Sequence, residues 1–355
     1  MRLRDFLNVF TEDVGIDLGT ANTLVYVKNR GLVLDEPSVV AIKGKEKRVY
    51  EVGKNAKKMI GKTPASIDAI RPLKDGVIAD YEVTEKMLRE FLKLAHKKKF
   101  LTNPRVVICV PAGVTQVEKR AVMDVTKEAG AREAYLIEEP MAAAIGAGLD
   151  IFEASGNMLV DIGGGTTEIA VISLGGIVKT TSLRVAGDKL DESIVQYVRK
   201  NHNLIIGEKS AEDIKTNIAC AYFEKASLEK EEVKEKEQYE VRGRNILNGL
   251  PRNIKISAEE VYEAIEEHLY QIIEEIKIIL EKTPPELSAD IYQKGLVLAG
   301  GGAMIKGIDK KISEELKIPV TVAEDPLKCV VNGIGKLLEE FETYKDVIIS
   351  PETDY

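Results

Sequence analysis

Between Met158 and Ile172 the chain carries Asp161, three consecutive glycines (Gly163, Gly164 and Gly165) and the pair Thr166-Thr167, set between two apolar runs. Those runs predict two strands joined as a hairpin, with the glycines at its tip. Backbone N–H groups left bare by glycine can cradle an anion such as phosphate. Asp161, closing the first strand, is placed to hold a cation through water. A tip of this kind is more often only a tight turn, so one copy decides nothing. A second copy lies near the N-terminus, in Gly15-Ile16-Asp17-Leu18-Gly19-Thr20-Ala21-Asn22-Thr23. Setting Asp17 on Asp161 puts Gly19 on Gly163 and Thr23 on Thr167. A repeat of this length implies two homologous halves facing each other, whose tips and carboxylates clamp one polyphosphate and its cation.

A third glycine turn, Gly300-Gly301-Gly302-Ala303, follows the apolar run Leu296 to Ala299. As a strand turning into a helix, it lets a flat ring or a phosphate approach bare backbone. Glu138 and Glu139 lie at a predicted strand–helix junction, the edge at which open α/β sheets bind ligands. One of them can orient a water for attack on a terminal phosphate; a charge pair at a helix N-terminus accounts for them equally well. Gly61-Lys62-Thr63 ends like a P-loop, but Ala56 stands where that motif needs glycine and no buried strand leads in, so the match is rejected.

These groups need a scaffold. A chain of 355 residues can bury several cores, as two domains or four subdomains. Buried strands are predicted at Arg105 to Val110 and Ala134 to Ile137, with helices at Thr115 to Gly130 and at the small-residue run Met141 to Gly148. Thr84 is expected to cap a helix from Glu85 to about Lys99, and Ser257 one from Glu259 to Lys282. Glu229 to Glu240 reads as a solvated helix edge or loop. Cys109, Cys220 and Cys329 are scattered and suit reduced thiols in a cytosolic core. A net charge of −8 argues against nucleic acid as a partner.

No run of about 20 apolar residues offers a membrane-spanning helix. Leu3, Phe6, Leu7 and Phe10 nevertheless share one helical face, either an interfacial membrane helix or an arm that packs on protein. Phe100 and Leu101 follow three lysines, and either tuck under a helix end or dip into an anionic bilayer.

Taken together and in order, Gly15 to Thr23, Glu36-Pro37-Ser38-Val39-Val40, Ile137-Glu138-Glu139-Pro140-Met141-Ala142-Ala143-Ala144-Ile145-Gly146 and Val160 to Glu168 resemble the bacterial actin homologues of the MreB/Mbl family. The resemblance implies an α/β, actin-like ATPase fold built from duplicated ribonuclease-H-like domains with two small subdomains. Residues 1–32, 76–148 and 326–355 would form subdomain IA and 33–75 subdomain IB. Residues 149–188 and 249–325 would form IIA, and 189–248 IIB. ATP or ADP would be held at its phosphates by Thr20, Ala21, Asn22, Gly163, Gly164 and Gly165. Its nucleoside would lie on Glu212, Asp213, Ile214 and Lys215 and on Gly300, Gly301, Gly302 and Ala303. Asp17 and Asp161 would hold Mg²⁺ through water, and Glu138 would position the attacking water.

The function implied is an ATP-hydrolysing filament of this chain, in paired protofilaments, that lies in the cytoplasm against the inner face of the cytoplasmic membrane. There it would direct cell-wall synthesis, and so cell shape, with membrane proteins of the elongation machinery. Ala299 stands where the family carries threonine, and Asp213 where it carries a basic residue. The same ATPase core serves plasmid- or organelle-positioning filaments, small-molecule kinases and heat-shock 70 chaperones. No sugar or acid pocket stands out for a kinase, and the chain holds no large substrate-binding region of the chaperone kind.

Overall fold

The computed structural model describes residues 12–95, 103–223 and 238–350. Leu3, Phe6, Leu7, Phe10, Phe100 and Leu101, the residues expected to meet a membrane, lie outside the described residues.

Two five-stranded sheets carry the site. The first contains β1 (Asp13–Leu18), β2 (Asn22–Val27), β3 (Gly31–Pro37), β9 (Arg105–Val110) and β10 (Glu133–Glu138), in the order β3-β2-β1-β9-β10. The second contains β11 (Asn157–Ile162), β12 (Thr167–Ser173), β13 (Gly176–Leu183), β17 (Leu296–Ala299) and β18 (Val320–Val322), in the order β13-β12-β11-β17-β18. Each is an antiparallel three-strand meander extended by two parallel strands. Register repeats as well: Asp17 faces Leu24 and Leu18 faces Thr23, while Asp161 faces Glu168 and Ile162 faces Thr167. The duplication read from two short motifs therefore extends through whole sheets. β11 and β12 are buried along their full lengths, which is why they read as unbroken apolar runs.

Two small antiparallel sheets stand apart from these. One has the order β5-β4-β6, from β4 (Val40–Lys43), β5 (Arg48–Val52) and β6 (Ile67–Ile70). The other has the order β14-β15-β16, from β14 (Leu204–Ile205), β15 (Gln238–Asn245) and β16 (Pro251–Ser257). β15 overturns the end of the expected solvated stretch: Gln238 to Glu240 pair with Ser257 to Lys255. Its charges alternate outward while Val241 points into the core, a strand pattern that the charge count masked. A further short pair, β7 (Leu73–Lys74) and β8 (Val77–Ile78), turns at Asp75-Gly76.

Among the helices, α1 (Gly53–Lys57) and α2 (Tyr81–Ala95) precede β9. α2 starts earlier than expected. Asp80 Oδ1 accepts the Val83 N–H at 3.1 Å, and Thr84 lies in the first turn, donating its hydroxyl to Asp80 O at 2.7 Å. Next come α3 (Gln116–Glu128) and α4 (Glu139–Gly146), then α5 (Gly187–His202), α6 (Glu208–Ile218), α7 (Ala258–Lys282), α8 (Pro285–Lys294), α9 (Ile308–Leu316) and α10 (Cys329–Glu339). Thr115 and Ser257 each close a capping box, with Glu118 and Glu260.

The first sheet packs on α2 and α3 and the second on α5, α6 and α7, giving each lobe its own apolar core. A third core joins the lobes through α4 and α10, where Met141 to Ile145 meet Cys329, Val330, Ile334 and Leu337. The two helices touch backbone to backbone. A Cβ on Gly146 would stand 1.7 Å from Cys329 O, and one on Gly333 would stand 1.8 Å from Ala142 O.

Candidate nucleotide and metal site

The hairpin tips between β1 and β2 and between β11 and β12 meet across a cavity of about 540 Å³. A Cβ on Gly164 would lie 2.7 Å from Ala21 Cβ, and one on Gly165 would lie 2.7 Å from Thr20 Oγ1. Only glycine lets the tips approach this closely. Each tip is braced. Ser38 Oγ donates to Gly19 O at 2.6 Å, and the Gly187 and Asp188 N–H groups donate to Gly163 O and Gly164 O at 3.1 and 2.8 Å. The Gly76 N–H, from the turn between β7 and β8, reaches Thr20 Oγ1 at 3.1 Å.

Asp17, Asp161, Thr20, Ala21, Asn22 and Gly163 to Gly165 all line this one cavity, as do Glu212, Lys215 and Gly300 to Gly302. The other expected positions fall elsewhere. Ile214 is buried in the core of the second lobe, and Asp213 and Ala303 are not in the cavity wall. On α6, Glu212 and Lys215 are three residues apart and share a face, so Ile214 is turned inward by helical geometry. Ala299 is buried opposite Asp161 in the register of β17 with β11, beneath the wall. Glu138 is also off the cavity; its carboxylate lies 3.7 Å from Lys119 Nζ. Glu139, the first residue of α4, lines the cavity instead. The sequence located the junction, and the change from strand to helix decides which glutamate turns in.

Sequence reading also missed Lys57, Arg71, Asp188 and Asp191, which line the same cavity. Lys57 Nζ donates to Glu212 Oε1 at 2.8 Å, and Lys215 Nζ donates to Gly187 O and Asp191 Oδ2, each at 2.8 Å. Asp191 Oδ1 is buried without a hydrogen-bond partner. No local motif marks these residues, because their partners are remote in the chain.

The floor of the cavity is acidic. Burial pushes Asp161 up to about 8, with Asp17 and Glu168 adding to it, and pushes Asp17 up to about 6. Glu168 rises to about 7 by burial, although Ser182 Oγ and the Ala112 N–H donate to it. Glu139 is held well above the ordinary carboxylate range by burial and then by Asp161, Glu168 and Asp17. Buried carboxylates crowded in this way favour a cation among them. Among the described residues no group of three or more His, Cys, Asp or Glu side chains is placed to wrap a bare ion. Two carboxylates beside a phosphate cradle fit a hard divalent cation that keeps most of its water, as Mg²⁺ does.

Acids with raised folded-state pKa values hold protons more tightly folded than unfolded. Their stabilisation is complete below the ordinary carboxylate range and is lost as pH rises through about 6 and then about 8. Without nucleotide and divalent cation, the melting temperature is expected to fall as pH rises across that interval. Saturating Mg-ADP should flatten the fall, which differential scanning fluorimetry at matched ionic strength would show.

The chain matches the family model described as MreB/Mbl protein over residues 11–346. It is 52% identical over 355 residues to the cell shape-determining protein MreB of Escherichia coli (strain K12), covering 99% of this chain and 100% of that one. With the cell shape-determining protein Mbl of Bacillus subtilis (strain 168) it shares 48% identity over 334 residues, covering 94% and 98%. Among solved structures it resembles MreB5 of Spiroplasma citri bound to AMPPNP, with a TM-score of 0.85 and 38% identity over 95% of this chain and 98% of that one. The MamK double helical filament matches with a TM-score of 0.78 and 26% identity over 93% and 99%.

Proposed function

Because the chain belongs to the MreB/Mbl family, with its actin-like ATPase fold, we propose that it is an ATP-hydrolysing, actin-like filament protein that determines bacterial cell shape. The observation that carries this reading is the meeting of the two tips, Thr20 to Asn22 and Gly163 to Gly165, above Asp17 and Asp161 in one cavity. Two relatives add to it: the S. citri structures were solved with AMPPNP and with ADP, and the MamK structure is a filament.

In this proposal the N–H groups of both tips bind the phosphates. Glu212 and Lys215 on one side, and Gly300 to Gly302 on the other, hold the nucleoside. Asp17 and Asp161 hold Mg²⁺ through water, and the ion supplies charge neutralisation on the phosphates. Glu139 orients the attacking water and draws its proton, taking the role that the family resemblance gave to Glu138. Phosphoryl transfer asks mainly for positioning and charge neutralisation, which this set provides.

At the level of the cell, the filament lies in the cytoplasm against the inner face of the membrane and organises cell-wall synthesis with membrane proteins of the elongation machinery. No helix among the described residues is long and apolar enough to cross a membrane. Attachment is assigned to the apolar residues Leu3, Phe6, Leu7 and Phe10 and to Phe100 and Leu101. A single copy of such a short apolar segment binds lipid weakly, and repetition along a polymer multiplies its grip by about 10²–10⁴.

The experiment that tests the proposal is sedimentation with Mg-ATP, Mg-ADP and no nucleotide. Polymer is expected to pellet with ATP, and anionic vesicles to co-sediment only under polymerising conditions. A chain that stays in the supernatant with every nucleotide, while phosphorylating a small acceptor in a coupled ADP assay, would move the assignment to a kinase.

A further inference from the structure

Arg71 lies between β6 and β7 in the first lobe, and Asp188 lies on α5 in the second. Arg71 Nη1 donates to Asp188 Oδ1 at 3.1 Å, so the pair spans the cleft. Asp188 is itself fixed to the phosphate cradle, since its N–H donates to Gly164 O at 2.8 Å. The segment that carries Arg71 continues to Gly76, which touches both tips: its N–H donates to Thr20 Oγ1, and a Cβ on it would meet Thr166 Cγ2 at 3.1 Å. Arg71 thus lines the same cavity as the bare glycines and is tied to their tip through Asp188.

Charge gives this position a purpose. A nucleoside triphosphate brings several negative charges to a floor already crowded with Asp17, Asp161 and Glu139. Two other cations of the wall are committed elsewhere: Lys57 pairs with Glu212 at the nucleoside side, and Lys215 is held by Gly187 O and Asp191. A guanidinium carries several N–H donors in a planar fork that matches phosphate oxygens. The contact with Asp188 engages a single one of its nitrogens.

We propose that Arg71 is the cation that the first lobe delivers to the terminal phosphate of the nucleotide, and that Asp188 aims its guanidinium. The inference rests on the nucleotide reading of the cavity and deepens it. Charge that builds on the transferred phosphoryl group is met there by a cation beside the glycine tip. Because the two residues come from different lobes, the contact forms fully only when the cleft is closed, which ties hydrolysis to closure.

The test uses the full chain with Arg71→Gln, Arg71→Lys and Asp188→Asn. Single-turnover hydrolysis of Mg-ATP is measured beside equilibrium binding of ADP, with and without aluminium fluoride. Arg71→Gln is expected to slow hydrolysis about 10- to 100-fold, with ADP affinity changed by about 2-fold or less. It should also lose most of the added affinity that fluoride confers on ADP, a readout of the transition state that a purely structural tie would not move. Arg71→Lys should recover part of the rate, and it serves as the measured variant if Arg71→Gln fails to fold. Asp188→Asn should fall between parent and Arg71→Gln.

Hydrolysis by Arg71→Gln within about 2-fold of the parent rate would overturn the inference. So would equal losses of ATP and ADP affinity with an unchanged rate, which mark a tie between lobes and nothing more. A parent protein that binds no nucleotide overturns the reading of the cavity itself, whereas a parent that turns over ATP with Arg71→Gln unaltered overturns Arg71 alone.

Discussion

Glu139→Gln is expected to slow ATP hydrolysis about 10²- to 10³-fold while leaving ATP bound. Glu139 opens α4 at the acidic floor, and burial together with Asp161, Glu168 and Asp17 holds its pKa well above the ordinary range. A cation on Asp17 and Asp161 would offset their charge and leave Glu139 ionised, a buried carboxylate able to act as a base toward water. The amide keeps the shape and removes the base. It also removes a negative charge from the wall, so ATP should bind at least as tightly as before. Phosphate release on mixing with Mg-ATP, with the nucleotide content of pelleted polymer, checks both halves. Glu138→Gln, beside Lys119 and off the cavity, should stay within about 2-fold of the parent rate. The reverse ranking would return the role to Glu138.

The second large effect lies where α4 crosses α10. Gly146→Val is expected to abolish the soluble folded state, because the cost exceeds about 4–5 kcal/mol. Even a methyl group at residue 146 would stand 1.7 Å from Cys329 O and 2.9 Å from Gly333 N, against backbone that no side-chain rotation can relieve. Gly333→Ala meets Ala142 O at 1.8 Å and should behave alike. Gly207→Ala is the matched control: nothing lies within 4 Å of its added Cβ, and its φ of −89° suits any residue. Its cost at the start of α6 should be about 1 kcal/mol or less. Soluble yield and thermal melting of the three variants would decide; a folded Gly146→Val with near-parental stability would refute the crossing as drawn.

How far the site was legible follows from how local each cue is. Asp17, Gly19, Thr20, Asp161 and Gly163 to Gly165 lie inside hairpins whose strands and tip are written within about a dozen residues, so spacing alone located them. The repeat then implied that the tips face each other, and they do. Glu212 to Lys215 were read as a block, but a helix cannot turn consecutive side chains to one ligand; Ile214 went to the core. Thr84 looked like a cap because helical spacing begins beside it, yet Asp80 supplies the accepting oxygen one turn earlier. Arg71 and Asp188 have no local signature at all, since what joins them is the closing of two lobes far apart in sequence. Small residues in Met141 to Gly148 did announce close helix packing, but Gly333 as the partner came only from the tertiary fold.

That crossing works like the rivet of a pair of shears. Where main chain bears on main chain with no compressible side chain between, the halves have little room to slide and are left free chiefly to swivel. Sweep then grows with distance from the rivet: a swivel too slight to disturb the apolar seam around it moves the outermost edges of both blades much further. A polymer that grips its subunits by those edges would feel, as a change of pitch, an adjustment that the seam itself hardly registers.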